Sequence, residues 1–265
     1  MSKVILITGA SSGIGLETAK MLIEKGHKVY GGARRIELMQ EVKGLNALNL
    51  DITNEASIKE CVEYILQKEK IIDVLINNAG YGLYGAIEDI PLEEAKRQFE
   101  VNLFGLAKIT QLILPVMREK KEGKIINISS IGGKVYSPLG AWYYASKHAL
   151  EAFSDCLRFE VKQFNIKVVI IEPGMVKTEW DKSGPVEYIN KFSKESAYQN
   201  IAKKALKKIE TIYSKNIPDG KIVAEGILKA IDTTNPKTRY TMGYMAKTIL
   251  FLRKFLSDKA FESAF

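Results

Sequence analysis

The run Tyr143-Tyr144-Ala145-Ser146-Lys147 places a phenol and an ammonium on a stretch that reads as helix. Tyr143 and Lys147 are four residues apart and so share a helix face. A free phenol ionises near pH ~10, too high for efficient proton transfer around neutrality. A neighbouring ammonium stabilises the phenolate and lowers that value. Ser130, thirteen residues before Tyr143, closes a predicted strand and can donate a hydrogen bond to a carbonyl oxygen. The chemistry these residues allow is acid–base work at a carbonyl or an alcohol. Tyr144 and Ser129 are the competing phenol and hydroxyl. Ser129 points to the opposite side of its strand. His148 and Asn127 read as packing and structural residues. Taken alone, a Tyr-x3-Lys pair equally describes an exposed helix pair.

A second group handles phosphate. The run Thr8-Gly9-Ala10-Ser11-Ser12-Gly13-Ile14-Gly15 lies between a strand and a helix, with the spacing G-x3-G-x-G. Gly9 permits the sharp turn, Gly13 lets backbone approach a diphosphate, and Gly15 lets the helix pack closely on the strand. The helix N-terminus then offers N–H groups and a positive dipole end. The next strand ends Gly31-Gly32-Ala33-Arg34-Arg35, with no carboxylate to grip a ribose 2′-hydroxyl. A guanidinium binds a 2′-phosphate bidentately, so NADP is favoured over NAD. The plainer alternative makes Arg34 and Arg35 solvated loop charges.

Alternating strands and helices must position these groups. Strands are expected at Val4–Thr8, Lys28–Gly31, Ala47–Leu50, Val74–Asn77, Lys124–Ser129 and Lys167–Glu172, and helices at Gly13–Lys25, Asn54–Lys70, Pro91–Lys121 and Trp142–Phe164. Nearly continuous Val/Ile/Leu runs suit parallel strands buried on both faces. The alternation implies right-handed crossovers and an α/β, doubly wound, mainly parallel sheet of Rossmann type. Beyond Glu172-Pro173-Gly174, helices are expected at Lys194–Tyr213 and Gly220–Ile231, a strand at Arg239–Met242, and a helical tail over Tyr244–Phe265. Residues 1–265 read as a single domain, with 175–215 as a lid segment and 244–265 as an amphipathic tail.

In such sheets ligands sit beyond the carboxyl ends of the strands. The loops there carry Tyr81, Leu83 and Tyr84, then Val135, Tyr136, Leu139 and Trp142, then Met175 and Trp180. This apolar, aromatic set suits a bulky lipophilic alcohol or ketone. It includes no charged anchor.

Composition narrows the class. The chain has 265 residues, 46% hydrophobic and 26% charged, which is ordinary for a globular protein. Contiguous apolar runs such as Val4–Ile7 fall short of a membrane span, and the amino terminus reads against a signal peptide. Two cysteines, Cys61 and Cys156, form no disulfide framework, which favours a reducing, cytoplasmic compartment. No His/Cys/carboxylate group has metal-ligand spacing. The net charge is +8; residues 202–265 contribute +7 and the first 201 only +1. That excess reads first as a solvated helix face. A nucleic-acid role lacks interleaved aromatic and basic residues. In the tail, Met245, Ile249, Leu252 and Leu256 recur at helical spacing beside Lys247, Arg253, Lys254 and Lys259. Docking on the protein itself is favoured there over peripheral membrane contact.

Thr8-Gly9-x3-Gly13-x-Gly15, Asp51, Asn77-Asn78-Ala79-Gly80, Asn102, Ser130, Tyr143-x3-Lys147 and Pro173-Gly174 together resemble the short-chain dehydrogenase/reductase family over residues 1–180. Ser129 to Trp180 resembles the branch of 17β-hydroxysteroid and retinol dehydrogenases and uncharacterised bacterial relatives. The resemblance implies that Tyr143 is the general acid in reduction and the base in oxidation. Lys147 would lower its pKa and hold the nicotinamide ribose, and Ser130 would polarise the carbonyl. Asn102, at a helix irregularity, would hold a water linking Lys147 to solvent. Asp51 would bind the adenine amino group, with Ile52 beside it, and Asn78, Ala79 and Gly80 would line the adenosine ribose. Ser11, Ser12 and Ile14 belong to the phosphate loop. Pro173, Gly174 and Val176 would flank the nicotinamide, and Thr178 would reach its carboxamide or the phosphates. Tyr81, Tyr84, Ser130, Tyr136, Trp142, Met175 and Trp180 would face the substrate. The expected protein is an NADP(H)-dependent oxidoreductase of lipophilic steroid-, retinoid- or acyl-like molecules, assembled as a homodimer or homotetramer. The alternatives are a 3-oxoacyl carrier-protein reductase and a non-catalytic NADP-sensing regulator.

Overall fold

The computed structural model describes residues 2–178 and 184–263. Seven parallel strands form one sheet in the order β3-β2-β1-β4-β5-β6-β7. They are β1 (Val4–Thr8), β2 (Lys28–Ala33), β3 (Leu45–Asn49), β4 (Val74–Asn77), β5 (Gly123–Ile128), β6 (Ile166–Pro173) and β7 (Arg239–Met242). The central strands are buried because both faces are covered. One layer packs α3 (Glu55–Glu69), α5 (Gly105–Lys120) and α6 (Ala141–Val161) onto Leu6, Leu75, Ile125 and Val168. The other packs α1 (Gly13–Glu24) and the later helix α9 (Lys221–Asp232) onto Ile5, Ile7, Ile126 and Ile171. Alternate residues of one strand thus serve opposite layers, as the two-residue strand period requires.

The strand order reverses between β1 and β4, which opens a crevice at their carboxyl ends. Gly9 and Gly13, both at positive φ (69° and 53°), turn the chain from β1 into α1 below that crevice.

The expected helix Pro91–Lys121 is three pieces: α4 (Leu92–Phe99), a π-helical segment Glu100–Phe104, and α5. The run Leu92–Lys120 is long enough to cross a membrane, and an 18-residue stretch within it is apolar enough, with mean hydropathy 1.3. Counting contiguous apolar residues overlooked it because charges interrupt it. In the fold its Leu106, Ile109, Ile113 and Met117 are buried, the last three in the core over the sheet.

The expected helix Lys194–Tyr213 starts later. A short α2 (Glu37–Gln40), α7 (Pro185–Phe192) and α8 (Gln199–Tyr213) complete this part, with Lys194–Tyr198 as turns between α7 and α8. Pro185 opens α7 at its first turn, where its missing N–H costs nothing. The tail forms two helices, α10 (Ala246–Phe255) and α11 (Asp258–Glu262), with Ser257 capping the second.

Candidate active site

Tyr143 rises from the first turn of α6 and is buried at the floor of the crevice. Ser130 follows β5 and caps a 3-10 turn, accepting a hydrogen bond from the Gly132 N–H at 3.0 Å. It also hydrogen-bonds the Tyr143 hydroxyl. Burial pushes the Tyr143 phenol up to about 12, against the Ser130 hydrogen bond, which pulls it down. This departs from the expected lowering by Lys147. Burial outweighs what lowers the phenol's pKa. Lys147, one turn on, is itself buried and pushed down to about 8, with Glu151 pulling the other way. Its Nζ donates to the Ile128 carbonyl at 2.9 Å.

Asn102 lies in the π-helical segment, at the irregularity the resemblance implied. Its Nδ2 donates to the Tyr81 carbonyl at 2.9 Å and to Ser146 Oγ at 3.1 Å, and its Oδ1 accepts from the Tyr81 N–H. A Cβ on Gly80 would lie 3.2 Å from Asn102 Oδ1 and 3.8 Å from Lys147 Nζ. The glycine therefore keeps a gap between the amide and the ammonium. Behind Lys147, Arg239 of β7 binds Glu151, Asp155 and Glu172 at 3.0, 2.6 and 3.3 Å, and Lys134 sits 3.3 Å from Glu151.

The crevice is a cleft of ≈ 1930 Å³. Single ligand sites run to about 300–1,000 Å³, so two ligands fit side by side. Every expected cofactor residue lines it except Gly15. A Cβ there would stand 2.3 Å from the Gly9 carbonyl, so Gly15 serves the α1–β1 packing. The N-terminus of α1 carries no side-chain cap and no acidic residue in its first turn. That leaves its N–H groups for an anion, so the residues fit the diphosphate of a dinucleotide. Asn78 lines the cleft, yet its amide donates to the Thr8 and Gly9 carbonyls at 3.0 Å and braces two loops. Arg35 donates to Ser12 Oγ at 3.0 Å. Burial of Asp51 is outweighed by hydrogen bonds from Thr53 and the charges of Arg34 and Arg97, which hold its carboxyl below the usual range. Arg97 was not foreseen. It lies on α4, far in sequence from the glycine loop, and no motif marks it.

On the substrate side, Tyr81, Tyr84, Ser130, Tyr136 and Met175 line the cleft. Trp142 does not, although it neighbours Tyr143. Its indole Nε1 is buried in the protein instead. Leu83 and Leu139 are likewise buried in the protein and absent from the lining. Trp180 lies outside the described residues. Tyr144 joins the lining, its hydroxyl 2.7 Å from Ser137 Oγ. Ser129 also lines it. Tyr188 and Ile189 of α7, Ala205 and Ile209 of α8 and Leu252 of α10 complete the apolar walls. Of these only the stripe through Leu252 is legible in the sequence, and a stripe does not say which surface it meets.

The fold and site define a nicotinamide-dependent oxidoreductase scaffold, and the comparisons agree. The family model for short chain dehydrogenase matches residues 3–187. The chain is 40% identical to the probable short-chain type dehydrogenase/reductase VdlC of Helicobacter pylori, over 98% of this chain and 95% of that one. It is 37% identical to a 3-ketodihydrosphingosine reductase of Bacteroides thetaiotaomicron, over 99% and 96%. A crystal structure of a short-chain dehydrogenase from Streptomyces avermitilis superposes with a TM-score of 0.82 at 33% identity, covering 95% of this chain and 92% of that one. The chain belongs to the short-chain dehydrogenase/reductase family, and it is an oxidoreductase.

Proposed function

We propose that this oxidoreductase uses NADP(H) and acts on the carbonyl or secondary alcohol of a lipophilic molecule. The observation that carries the reading is the convergence of Ser130, Tyr143 and Lys147 at the floor of a cleft whose other end is the α1 N-terminus. The nicotinamide, when bound, supplies or accepts the hydride. Ser130 then donates a hydrogen bond to the substrate oxygen, and Tyr143 passes its proton to that oxygen in reduction. Burial holds the phenol protonated at neutral pH, so Tyr143 carries the proton that reduction needs and takes one back in oxidation. Lys147 supplies positive charge below Tyr143, and Asn102 steadies the loop at Tyr81 that walls the site. Arg34 and Arg35 at the nucleotide end favour a 2′-phosphate. Support for a lipophilic ketone comes from the apolar, tyrosine-rich walls and from the relative named for a keto sphingoid.

The test follows NADPH absorbance, with NADH beside it, across aliphatic and cyclic ketones. Tyr143→Phe should bind cofactor and lose at least about 10²–10⁴-fold in turnover, while Tyr144→Phe stays active. An active Tyr143→Phe protein, or equal use of both cofactors, refutes the corresponding half of the reading.

A further inference from the structure

The charge lining the cleft is one-sided. Among the described residues Asp51 is the single carboxylate that lines it, at the nucleotide end. Lys204, Lys207 and Lys208 of α8 also line it, interleaved with Ile201, Ala205 and Ile209. Lys204 and Lys207 form no ion pair with any described residue. They stand three apart, so their stems rise side by side from one helix face, and long lysine stems lie along apolar surface while the ammonium stays in water. The same helix packs Ala202, Ala205, Leu206 and Ile209 into the cluster around Tyr84 and Tyr143. Ile249, Leu252 and Leu256 of the tail also line the cleft. A chain leaving the Ser130–Tyr143 floor thus crosses apolar wall and ends among ammonium groups.

We propose that Lys204 and Lys207 anchor the anionic head, a phosphate or carboxylate, of an amphiphilic substrate whose apolar chain carries the reacting carbonyl. This rests on the oxidoreductase reading above and adds a charged anchor to it. The nucleotide's own phosphates have a separate place, at the α1 N-terminus and at Arg34 and Arg35.

The experiment titrates octyl phosphate and octanol calorimetrically into the NADP(H)-saturated protein, so that the cofactor's phosphate sites are filled. Octyl phosphate should bind about tenfold tighter than octanol, since two exposed cation contacts each contribute modestly, and the preference should shrink at high salt. Lys204→Glu/Lys207→Glu, and the milder Lys204→Gln/Lys207→Gln, should erase the preference and leave octanol and NADP(H) affinity within about twofold. Equal binding of the two probes by the unmodified protein overturns the proposal. So does a preference that survives in both variants, or a loss of NADP(H) affinity in them. Turnover of a phosphate-ended long-chain ketone is followed separately. A retained preference for octyl phosphate with no turnover of any ketone counts against the lipophilic-ketone reading and leaves the anchor standing.

Discussion

Two ionisable groups at the floor of the cleft are shifted by burial in opposite senses. Tyr143 is raised to about 12 and Lys147 lowered to about 8. Lys147 has Ile128's carbonyl as its hydrogen-bond acceptor, and the carboxylate acting on it is Glu151, one helical turn away and 4% exposed. Glu151 is in turn held by Lys134 and by Arg239, which also grips Asp155 and Glu172; Thr241 donates to Glu172 at 2.6 Å. Glu151 is thus a positioning residue for the charge on Lys147. Its negative charge raises the Lys147 pKa, so removing it lowers that value further. If the ammonium is the working form, activity is lost as pH rises through its pKa. Glu151→Gln should therefore move the alkaline limb of the kcat profile acidward by about one unit, and Glu151→Asp should restore it. An unmoved limb in a folded Glu151→Gln protein would show that Glu151 only packs.

At the scale of elements, the join of β1 to α1 sets how closely the phosphate loop approaches the sheet. A Cβ at position 15 would meet the Gly9 carbonyl at 2.3 Å and Asn78 Nδ2 at 2.5 Å, and the first of these is backbone with little room to yield. Gly15→Ala should cost at least about 1–3 kcal/mol as overpacking, read as a fall in melting temperature, and should weaken cofactor binding by pushing the loop out. Thermal melts matching the unmodified protein would refute this. The join was legible in the sequence because glycine spacing states a backbone demand directly. So were the parallel strands, whose unbroken Val/Ile/Leu runs admit few other readings. The π-helical turn at Asn102 came from family resemblance and from no periodicity, since one inserted residue only slips the phase of an apolar stripe by about 100°, too little to read in so short a helix. Trp142, read with the loop residues beyond the strand ends, stands in the first turn of α6 and does not line the cleft. The tail shows the same limit. Its apolar residues divide in space: Ile249, Leu252 and Leu256 line the cleft, whereas Phe251 and Phe255, rings tilted against each other with centroids 4.8 Å apart, stay exposed.

For the whole molecule, the question is which surfaces remain apolar once the core is made. Ile109 of α5 and Leu157 and Val161 of α6 are spent on the core. What these elements leave outside is Phe159, 77% exposed near the end of α6, and Phe104, 53% exposed at the start of α5. A single exposed apolar side chain needs no explanation, but large aromatic groups on neighbouring helices are a surface that association would cover. The charge distribution permits it: the +8 resides almost wholly after residue 201, and the part bearing these helices is close to neutral. Two copies can meet there without strong repulsion, through the same patch on each. Light scattering at micromolar concentration should therefore give twice the chain mass or a multiple of it, little altered by salt because the contact is apolar. Phe104→Asp/Phe159→Asp should lower that mass, since a carboxylate buried in an apolar contact is desolvated without a partner. A monomeric mass for the unmodified protein, or an unchanged assembly in the double variant, would remove these helices from the interface.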